Sequence, residues 1–307
     1  SRPPRDAVSA RLMRMSGDWD RGWLRYGFVA PALVLLIAVN IFPLLYSIVL
    51  SFTNADLVGS DAAWVGFLNY KIVFKFAKYG QALRTTALFV FLAVTCELLL
   101  GFGLAYALRD RFALKPLVLT MLLVPMMLPQ AVMGLFWKLI LNGNYGALNQ
   151  ALSFMGFSQP QWITDPDLKF ISVIMVDVWM WTPFMMLISL AALQSIPPYI
   201  YEAAAIDRAS SWRTFRRITL PMCAPLLGLA VLLRATDALK QFDLIMALTG
   251  PNDRVTQTLS ALLYQTVFRD GKVGLGTAYS YVILVLVIAL ASVFLRYMGR
   301  LQRESAS

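Results

Sequence analysis

Six long apolar segments alternate along the chain with shorter segments that hold most of the charged residues. The apolar segments lie at about residues 27–52, 83–108, 117–141, 168–193, 222–248 and 273–297. A helix needs about 20 apolar residues to cross the hydrocarbon core of a bilayer. The pattern therefore predicts an all-α, polytopic membrane protein with six transmembrane helices.

Prolines interrupt the first, third and fifth of these segments. They are Pro31, Pro43, Pro125, Pro129 and Pro225. A proline inside a spanning helix is tolerated where neighbouring helices or waters satisfy the carbonyl groups that it frees. The prolines predict kinked helices around a cavity rather than a straight, sealed bundle.

The overall composition agrees with a membrane protein. Of the 307 residues, 59% are hydrophobic and 14% are charged, and the mean hydropathy is +0.64. A soluble domain has about 45–50% apolar and about 25% charged residues. The chain has no histidine, and its two cysteines, Cys96 and Cys223, lie far apart. We therefore expect no catalytic residue, no metal site and no cofactor in this chain. It also lacks the G-x-x-x-x-G-K-[ST] loop that cradles nucleotide phosphates.

Arginine and lysine residues concentrate on one side of the predicted membrane. Sixteen lie in the two tails and the loops after the second and fourth segments, against six in the other loops. The positive-inside rule then puts both termini in the cytoplasm. It also accounts for the net charge of +10 without a nucleic-acid partner.

The N-terminal tail, residues 1–26, precedes an apolar segment that is too long for a cleaved signal peptide. Val8, Leu12, Met15, Trp19 and Trp23 recur among its arginines at near-helical spacing. This spacing predicts a short amphipathic helix along the cytoplasmic membrane face. Residues 297–307 are expected to form a cytoplasmic C-terminal tail.

The loop at residues 195–221 carries the most information about function. Pro197 and Pro198 end the fourth segment, and an alanine-rich stretch that starts at Glu202 favours a short helix with its acidic residue near the N-terminus. A polar turn at residues 207–211 follows, and then a second short helix. That helix carries an apolar face of Trp212, Phe215, Ile218 and Thr219 opposite Arg213, Arg216 and Arg217. Either the loop packs under its own bundle, or it is presented to a separate cytoplasmic partner.

The residues of this loop match a family pattern at nine positions. They are Glu202, Ala203, Ala204, Asp207, Ala209, Phe215, Ile218, Leu220 and Pro221. The string resembles the E-A-A-x-x-D-G-A-x-x-x-x-x-F-x-x-I-x-L-P loop of permease subunits of binding-protein-dependent ATP-binding-cassette (ABC) importers. Within these importers it resembles the carbohydrate-uptake group of maltose and glycerol-phosphate-type permeases. Arg208 departs from the pattern, because the family has a glycine there that permits a left-handed turn.

Shorter motifs extend the resemblance over the whole chain. Gly66, Asn69 and Tyr70 are similar to the G-x-x-N-[YF] motif that follows the first helix of these permeases. Leu248, Thr249, Gly250 and Pro251 are similar to the turn after their fifth helix. The resemblance implies a type I ABC importer permease fold, with a first helix at 27–52 and a five-helix core at 81–296 that includes the loop 195–221.

The same resemblance implies a set of partners. These are a second, homologous permease in a heterodimer, two cytoplasmic subunits that bind ATP and Mg²⁺, and an extracytoplasmic solute-binding protein that meets the loops near residues 57–79 and 142–167. Membrane lipid surrounds the spans. The protein would lie in the bacterial inner membrane and pass a sugar, or alternatively a polyol or glycerol-phosphate-type solute.

For the loop, the resemblance implies a helix that docks in a groove of the ATPase. Glu202 would supply a charge-assisted contact, and Ala203, Ala204 and Ala205 would allow close approach. Asp207 would cap the helix or hold the turn. The complete set of matched or neighbouring loop positions is Glu202, Ala203, Ala204, Ala205, Asp207, Arg208, Ala209, Phe215, Leu220 and Pro221.

Polar and aromatic residues within the spans are candidates for the solute pathway, since polar groups are costly inside a membrane. The candidates are Asp177, Trp179, Trp181, Asp237, Lys240, Gln241, Phe242, Asp243, Tyr279 and Tyr281. Carboxylates, amides and aromatic rings suit a sugar. Alternatively, Arg234–Asp237 and Lys240–Asp243 are ion pairs within one helix, or these residues contact the sister permease. A proton- or ion-coupled carrier, in which Glu97, Asp237 and Asp243 titrate, is a further alternative.

Overall fold

The computed structural model describes residues 22–59, 62–110 and 112–306, which form helices, their connecting loops and two isolated β-bridges. The first half holds α1 (Gly22–Leu36), α2 (Phe42–Ser51), α3 (Leu68–Lys75), α4 (Ala77–Ala107), α5 (Lys115–Leu123), α6 (Gln130–Ile140) and α7 (Ala147–Phe154). The second half holds α8 (Pro166–Gln194), α9 (Pro198–Ile206), α10 (Ser211–Thr214), α11 (Leu220–Ala238), α12 (Asp243–Leu248), α13 (Leu259–Tyr264) and α14 (Val273–Ala306).

The prediction of six spans is confirmed with one modification. Five stretches are long and apolar enough to cross a membrane: Val29–Ser51, Ala77–Ala107, Pro166–Gln194, Ser211–Ala238 and Val273–Arg296. The remaining predicted span, the third along the chain, corresponds to a bent pair of helices, Lys115–Met127 followed by Gln130–Ile140, which makes six spans if the pair crosses as one. We call the end of the bundle that carries residues 195–219 the lower end, and the end that carries residues 52–76 the upper end. The predicted helix in residues 1–21 lies outside the described residues.

The third span was predicted over 117–141 with a kink at its prolines, and in the structure this kink is a complete break between two helices. Its two parts meet at an angle of 97°. Leu128 and Pro129 have extended backbones, with ψ angles of 145° and 134°. A residue before proline avoids the helical region, so the helix stops there and restarts in a new direction as α6. Gly134 then lets α6 lie directly on α12, since a Cβ there would be 2.5 Å from the Cβ of Ala247.

The fifth span was predicted to continue to residue 248, but α11 ends at Ala238 and α12 starts at Asp243. Hydrogen bonds from other elements hold the break open. The main-chain carbonyl of Gln241 accepts a 3.0 Å bond from the Thr258 hydroxyl, and its side-chain amide bonds to the fourth span. Tertiary bonds at one polar residue therefore override the apolar pattern around it.

Two spans contain a π-helical turn just ahead of a proline. The turn at Ile37–Ile41 is followed by Pro43, and the turn at Phe215–Thr219 is followed by Pro221. A proline ring in a helix clashes with the carbonyl group four residues earlier. The wider π turn displaces that carbonyl group, so the chain passes the proline and continues as a helix.

The buried core follows the bundle axis from the lower to the upper end. The most extensive helix–helix contact joins α4 and α8, and Gly101 is a point of close approach between them. A Cβ on Gly101 would lie 2.6 Å from the Cβ of Met185. At the upper end, the start of α14 packs against the segment after α2, where a Cβ on Gly274 would lie 2.0 Å from the main-chain oxygen of Thr53. These contacts leave no room for side chains, so they fix the relative positions of the spans.

Candidate functional site

The loop at the lower end contains the two predicted short helices, but the first helix starts earlier than expected. It begins at Pro198, so Glu202 lies in its middle and the first turn holds no acidic residue. Proline fits the first turn of a helix because the N–H that it lacks would have no helical partner there. Glu202 therefore projects from the helix rather than compensating for the helix dipole.

Arg208 keeps the left-handed conformation that the family pattern predicts for a glycine. Its φ angle is +51°, which makes it the single non-glycine residue with positive φ in the described part of the chain. The N–H of Ala209 donates to the carbonyl of Ala204 at 2.9 Å, and the N–H of Arg208 donates to that of Ala205 at 3.1 Å. This pair of bonds is the Schellman arrangement that ends many helices. Asp207 occupies the C-cap position, where its backbone N–H donates to the carbonyl of Ala203 at 3.0 Å, and the predicted role of its side chain stays a prediction.

The second half of the loop is anchored to the bundle. The Ser210 hydroxyl accepts a 3.3 Å bond from the N–H of Arg213 and so starts α10. The ring of Phe215 packs against Phe102 and Tyr106 of α4, at 6.1 and 5.7 Å between centroids. Within the predicted apolar face, Phe215 thus contacts the chain's own bundle, whereas Trp212 is 68% exposed. Leu220 and Pro221 follow as the first residues of α11, and both are exposed.

The helix α9 has one face on the bundle and one face free in this chain. Ala204 is buried, whereas Glu202, Ala203 and Ala205 are exposed. Ile206 is 82% exposed. Phe215 and Ala204 thus pack the loop against its own bundle and the opposite side of α9 is exposed, while presentation of the loop to a partner stays a prediction.

A cluster of charged side chains lies inside the bundle, between the fourth and fifth spans and α4. The guanidinium of Arg234 donates two parallel bonds to Glu97, from Nε to Oε2 at 2.9 Å and from Nη2 to Oε1 at 3.0 Å. Arg234 is 1% exposed and Glu97 is fully buried. A paired arrangement of this kind is the strongest geometry for an arginine–carboxylate contact.

Asp177 completes the buried part of the cluster. Its Oδ2 accepts a hydrogen bond from Nη2 of Arg234, and its Oδ1 accepts one from Nε2 of Gln241 at 2.8 Å. Both residues are buried. The cluster therefore joins three spans, and Gln241 ties the break between α11 and α12 to it.

The cluster reaches the surface of this chain through Asp237 and Lys240. Nη1 of Arg234 lies 3.5 Å from Oδ2 of Asp237, whose side chain is 47% exposed, and Lys240 lies 4.0 Å from the same carboxylate. Trp181 lies below the guanidinium, 4.8 Å from ring centroid to Cζ, which is a cation–π geometry. The Arg234–Asp237 pair is one of the predicted alternatives, but its carboxylate is a minor partner beside Glu97 and Asp177.

Three further predicted pathway residues lie around this cluster without joining it. Trp179 contacts Trp137 edge-on and lines an apolar cavity of about 570 Å³ between α4, α5 and α8. Phe242 packs against Tyr264 at 5.3 Å. Asp243 is exposed at the start of α12 and makes no ion pair with Lys240 among the described residues.

Tyr279 and Tyr281 lie elsewhere. Tyr279 is buried near the upper end, where its ring stacks on Tyr79 at 5.5 Å. The hydroxyl of Tyr281 donates a 2.5 Å bond to the main-chain oxygen of Leu44 and so joins α14 to α2. Neither residue is in the charge cluster, and both hold the last helix in place.

Sequence spacing finds ion pairs within one helix but not those between helices. Glu97 and Asp177 are 137 and 57 residues from Arg234 along the chain. The available signal was the rarity of charges inside spans, which marks all three residues without pairing them. No set of three or more His, Cys, Asp or Glu side chains that could hold a metal ion occurs in the searched, described residues.

Residues 97–304 match the family model described as "Binding-protein-dependent transport system inner membrane component". The chain belongs to this family. This permease is 34% identical to the trehalose/maltose transport system permease protein MalF of Thermococcus litoralis, over 92% of this chain and 95% of the relative. It is also 34% identical to the trehalose transport system permease protein SugA of Mycobacterium tuberculosis, over 90% of this chain and 89% of the relative.

The fold of the permease is similar to that of a chain in a solved bacterial ABC transporter for the acidic polysaccharide alginate. The TM-score is 0.81 at 22% identity, and the match covers 94% of this chain and 99% of the other. The type I ABC importer permease fold is thus confirmed, and the protein is a multi-pass membrane protein of a transporter family. As a permease, the protein is the membrane subunit of a binding-protein-dependent ABC importer.

Proposed function

We propose that this permease is the transmembrane subunit of an ATP-driven importer that moves a sugar delivered by an extracytoplasmic solute-binding protein. Its relatives named above support a saccharide, since two of them are named for trehalose or maltose. A glycerol-phosphate-type solute and an ion-coupled carrier have no support among those relatives. ATP and Mg²⁺ bind to partner subunits, and a second homologous permease completes the pathway.

The observation that carries this proposal is the half-anchored helix α9. Ala204 and Phe215 fix the loop to the bundle, while Glu202, Ala203, Ala205 and Ile206 face outward. A rigid helix with an exposed acidic and small-residue face can transmit movement between a separate ATPase and the spans. Closure of the two ATPases on ATP would move this helix together with α11, whose first residues follow Phe215 through one π turn. The cavity would then change its access from one side of the membrane to the other.

The charge cluster supports a solute pathway along the break between α11 and α12. Asp237 and Lys240 are the members that reach the surface of this chain, and Trp179 lines the adjacent apolar cavity. A carboxylate and an ammonium group can bond sugar hydroxyls, and an indole ring can pack against the C–H face of a pyranose. Asp177 and Gln241 would support these groups without contacting the solute, because both are buried and hydrogen-bonded to each other.

The basic residues of the tails and lower loops support an orientation with the lower end and both termini in the cytoplasm. The family description favours the bacterial inner membrane. In this orientation the segments near residues 57–79 and 142–167 lie on the side of the membrane where the solute-binding protein docks, and the lower end faces the two ATPases.

A substitution of Glu202 tests the coupling role. Glu202→Ala in the complete importer should abolish the stimulation of ATPase activity by solute-loaded binding protein, while expression and assembly stay normal. The comparison variant is Asp110→Ala, which removes another exposed carboxylate from the same lower-end pocket and so tests whether the effect is specific to Glu202. Equal loss of stimulation in both variants, or full stimulation in Glu202→Ala, would contradict the assignment.

A further inference from the structure

A polar pocket of about 390 Å³ opens at the upper end of the bundle, away from the charge cluster. Three spans meet around it, since its walls come from the end of α2, the start of α4 and the start of α14. Helix α3, together with Leu262 of α13 and Thr266 just after that helix, closes its sides. Because the ends of three spans mark the boundary of the hydrocarbon core, the pocket lies at the level of lipid headgroups.

Charges of both signs line this pocket without neutralising one another. They are the carboxylates of Asp56 and Asp270 and the ammonium groups of Lys78 and Lys272. Asp56 and Lys272 face each other across an antiparallel β-bridge. Yet no two of the four groups form an ion pair within 4.0 Å in the described residues. Lys78 instead donates a 2.7 Å bond to Oε1 of Gln265, which fixes its position.

The walls of the pocket are held rigidly. The amide of Asn69 donates to the main-chain oxygens of Ser51 and Thr53, at 2.8 Å each. Gly274 lies against Thr53 so closely that no side chain fits between them. Tyr279, stacked on Tyr79, forms part of the lining. The walls that carry the charges are therefore rigid and Lys78 is fixed by Gln265, whereas the side chains of Asp56, Asp270 and Lys272 are exposed.

One side of the pocket continues into an apolar surface. Leu68, Ile72 and Phe76 line both the pocket and a shallow neighbouring groove that also carries Lys71 and Lys75. Leu68 and Phe76 are more than half exposed. Exposed apolar side chains beside lysines at this depth are typical of residues that contact lipid. A ligand here has a polar end with two opposite charges and an apolar end.

We infer that the pocket binds the headgroup of a zwitterionic phospholipid, namely phosphatidylethanolamine. Its phosphate would contact Lys78 and Lys272, its ammonium group would donate hydrogen bonds to Asp56 and Asp270, and an acyl chain would follow Leu68 and Phe76. Phosphatidylcholine has no N–H donor for the carboxylates. Phosphatidylglycerol offers them no positive charge, so the two aspartates disfavour it.

Native mass spectrometry of the complete importer tests this site. The complex is reconstituted in nanodiscs with equal amounts of phosphatidylethanolamine and phosphatidylglycerol, extracted in mild detergent, and the retained lipids are counted. We expect the unmodified complex to retain phosphatidylethanolamine preferentially. The Asp56→Asn/Asp270→Asn variant should reverse that preference, because the lysines remain and favour the anionic lipid. Lys272→Gln should lower the retention of both lipids.

The reversal separates a headgroup site from a general packing defect, which would reduce both lipids together. Asp167→Asn, an exposed carboxylate at the same end of the bundle, serves as the matched control and should leave the lipid ratio unchanged. An unchanged ratio in Asp56→Asn/Asp270→Asn overturns the inference. The inference is also overturned if nanodiscs that contain phosphatidylcholine instead of phosphatidylethanolamine give equal retention of that lipid by the unmodified complex. Neither result depends on which solute the importer carries.

Discussion

The charge cluster and the helix α9 use polar residues in opposite ways. In the cluster, Arg234 saturates Glu97 and Asp177, and all three are buried. On α9, Glu202 is exposed on a helix whose other face is anchored. Polar groups that are satisfied within the chain hold spans together, whereas a polar group left open at a rigid surface is available to a partner. The two regions should therefore respond differently to substitution. Changes in the cluster should lower the stability of the complex, and changes in the loop should weaken its coupling to the ATPase.

The largest effect is expected at Arg234. Arg234→Met leaves Glu97 and Asp177 buried without their cation, and breaking a buried ion pair by removing one partner costs about 3–5 kcal/mol. Thermal unfolding of the purified complex should show a large loss of stability. Lys240→Met removes one positive charge from an exposed neighbour, 61% accessible, and should change the free energy of unfolding by no more than about 0.5 kcal/mol.

A neutral cluster gives a second test of the same contact. Arg234→Met combined with Glu97→Gln and Asp177→Asn removes the uncompensated charges, so part of the lost stability should return. A single Arg234→Met variant that unfolds at the temperature of the unmodified complex would show that the cluster does not hold the spans together.

A smaller effect is expected at the helix contact one turn below the cluster. A Cβ on Gly101 would lie 2.6 Å from Met185 Cβ and 2.8 Å from the main-chain nitrogen of Met186. Gly101→Ala should therefore force α4 and α8 apart and cost about 1–3 kcal/mol. Gly103, on the same helix, has nothing within 4 Å of its Cβ position.

The control, Gly103→Ala, should leave stability unchanged or raise it by up to about 1 kcal/mol through helix propensity. Thermal unfolding of the two variants in the same detergent measures the difference. If both shift stability in the same direction, the close approach of α4 and α8 does not restrict residue size, and the cluster above it would be the sole device that joins these spans.

The spans could be predicted from sequence because lipid imposes one simple demand, an apolar stretch long enough to cross. Where other interactions decide, the prediction failed. Prolines mark the third span and polar residues mark the fifth near Gln241, but the 97° turn at Pro129 and the bonds of Gln241 to Asp177 and Thr258 that break the fifth span could not be predicted from them. Contacts between distant residues carry no local signal.

The site shows the same division. The turn of the loop followed from local spacing, since the bonds at Ala209 and Arg208 reach back only five and three residues. The pairing of Arg234 with Glu97 spans 137 residues and could not be read from spacing. The opposite charges around the upper pocket come from three separate segments, none of which forms a pattern by itself.

The smallest effect is expected at Arg208, where the loop departs from its family. A left-handed backbone costs a residue with a Cβ about 1–2 kcal/mol. Arg208→Gly removes that strain but gives the unfolded chain more freedom, which costs about 0.4–1 kcal/mol. The net gain in the free energy of unfolding should be no more than about 1 kcal/mol, detectable as a small rise in the unfolding temperature. Arg208→Ala separates strain from charge, because it removes the guanidinium and keeps the Cβ. If Arg208→Ala stabilises the complex as much as Arg208→Gly, charge repulsion among the loop arginines, and not the φ angle of +51°, sets the cost of this residue.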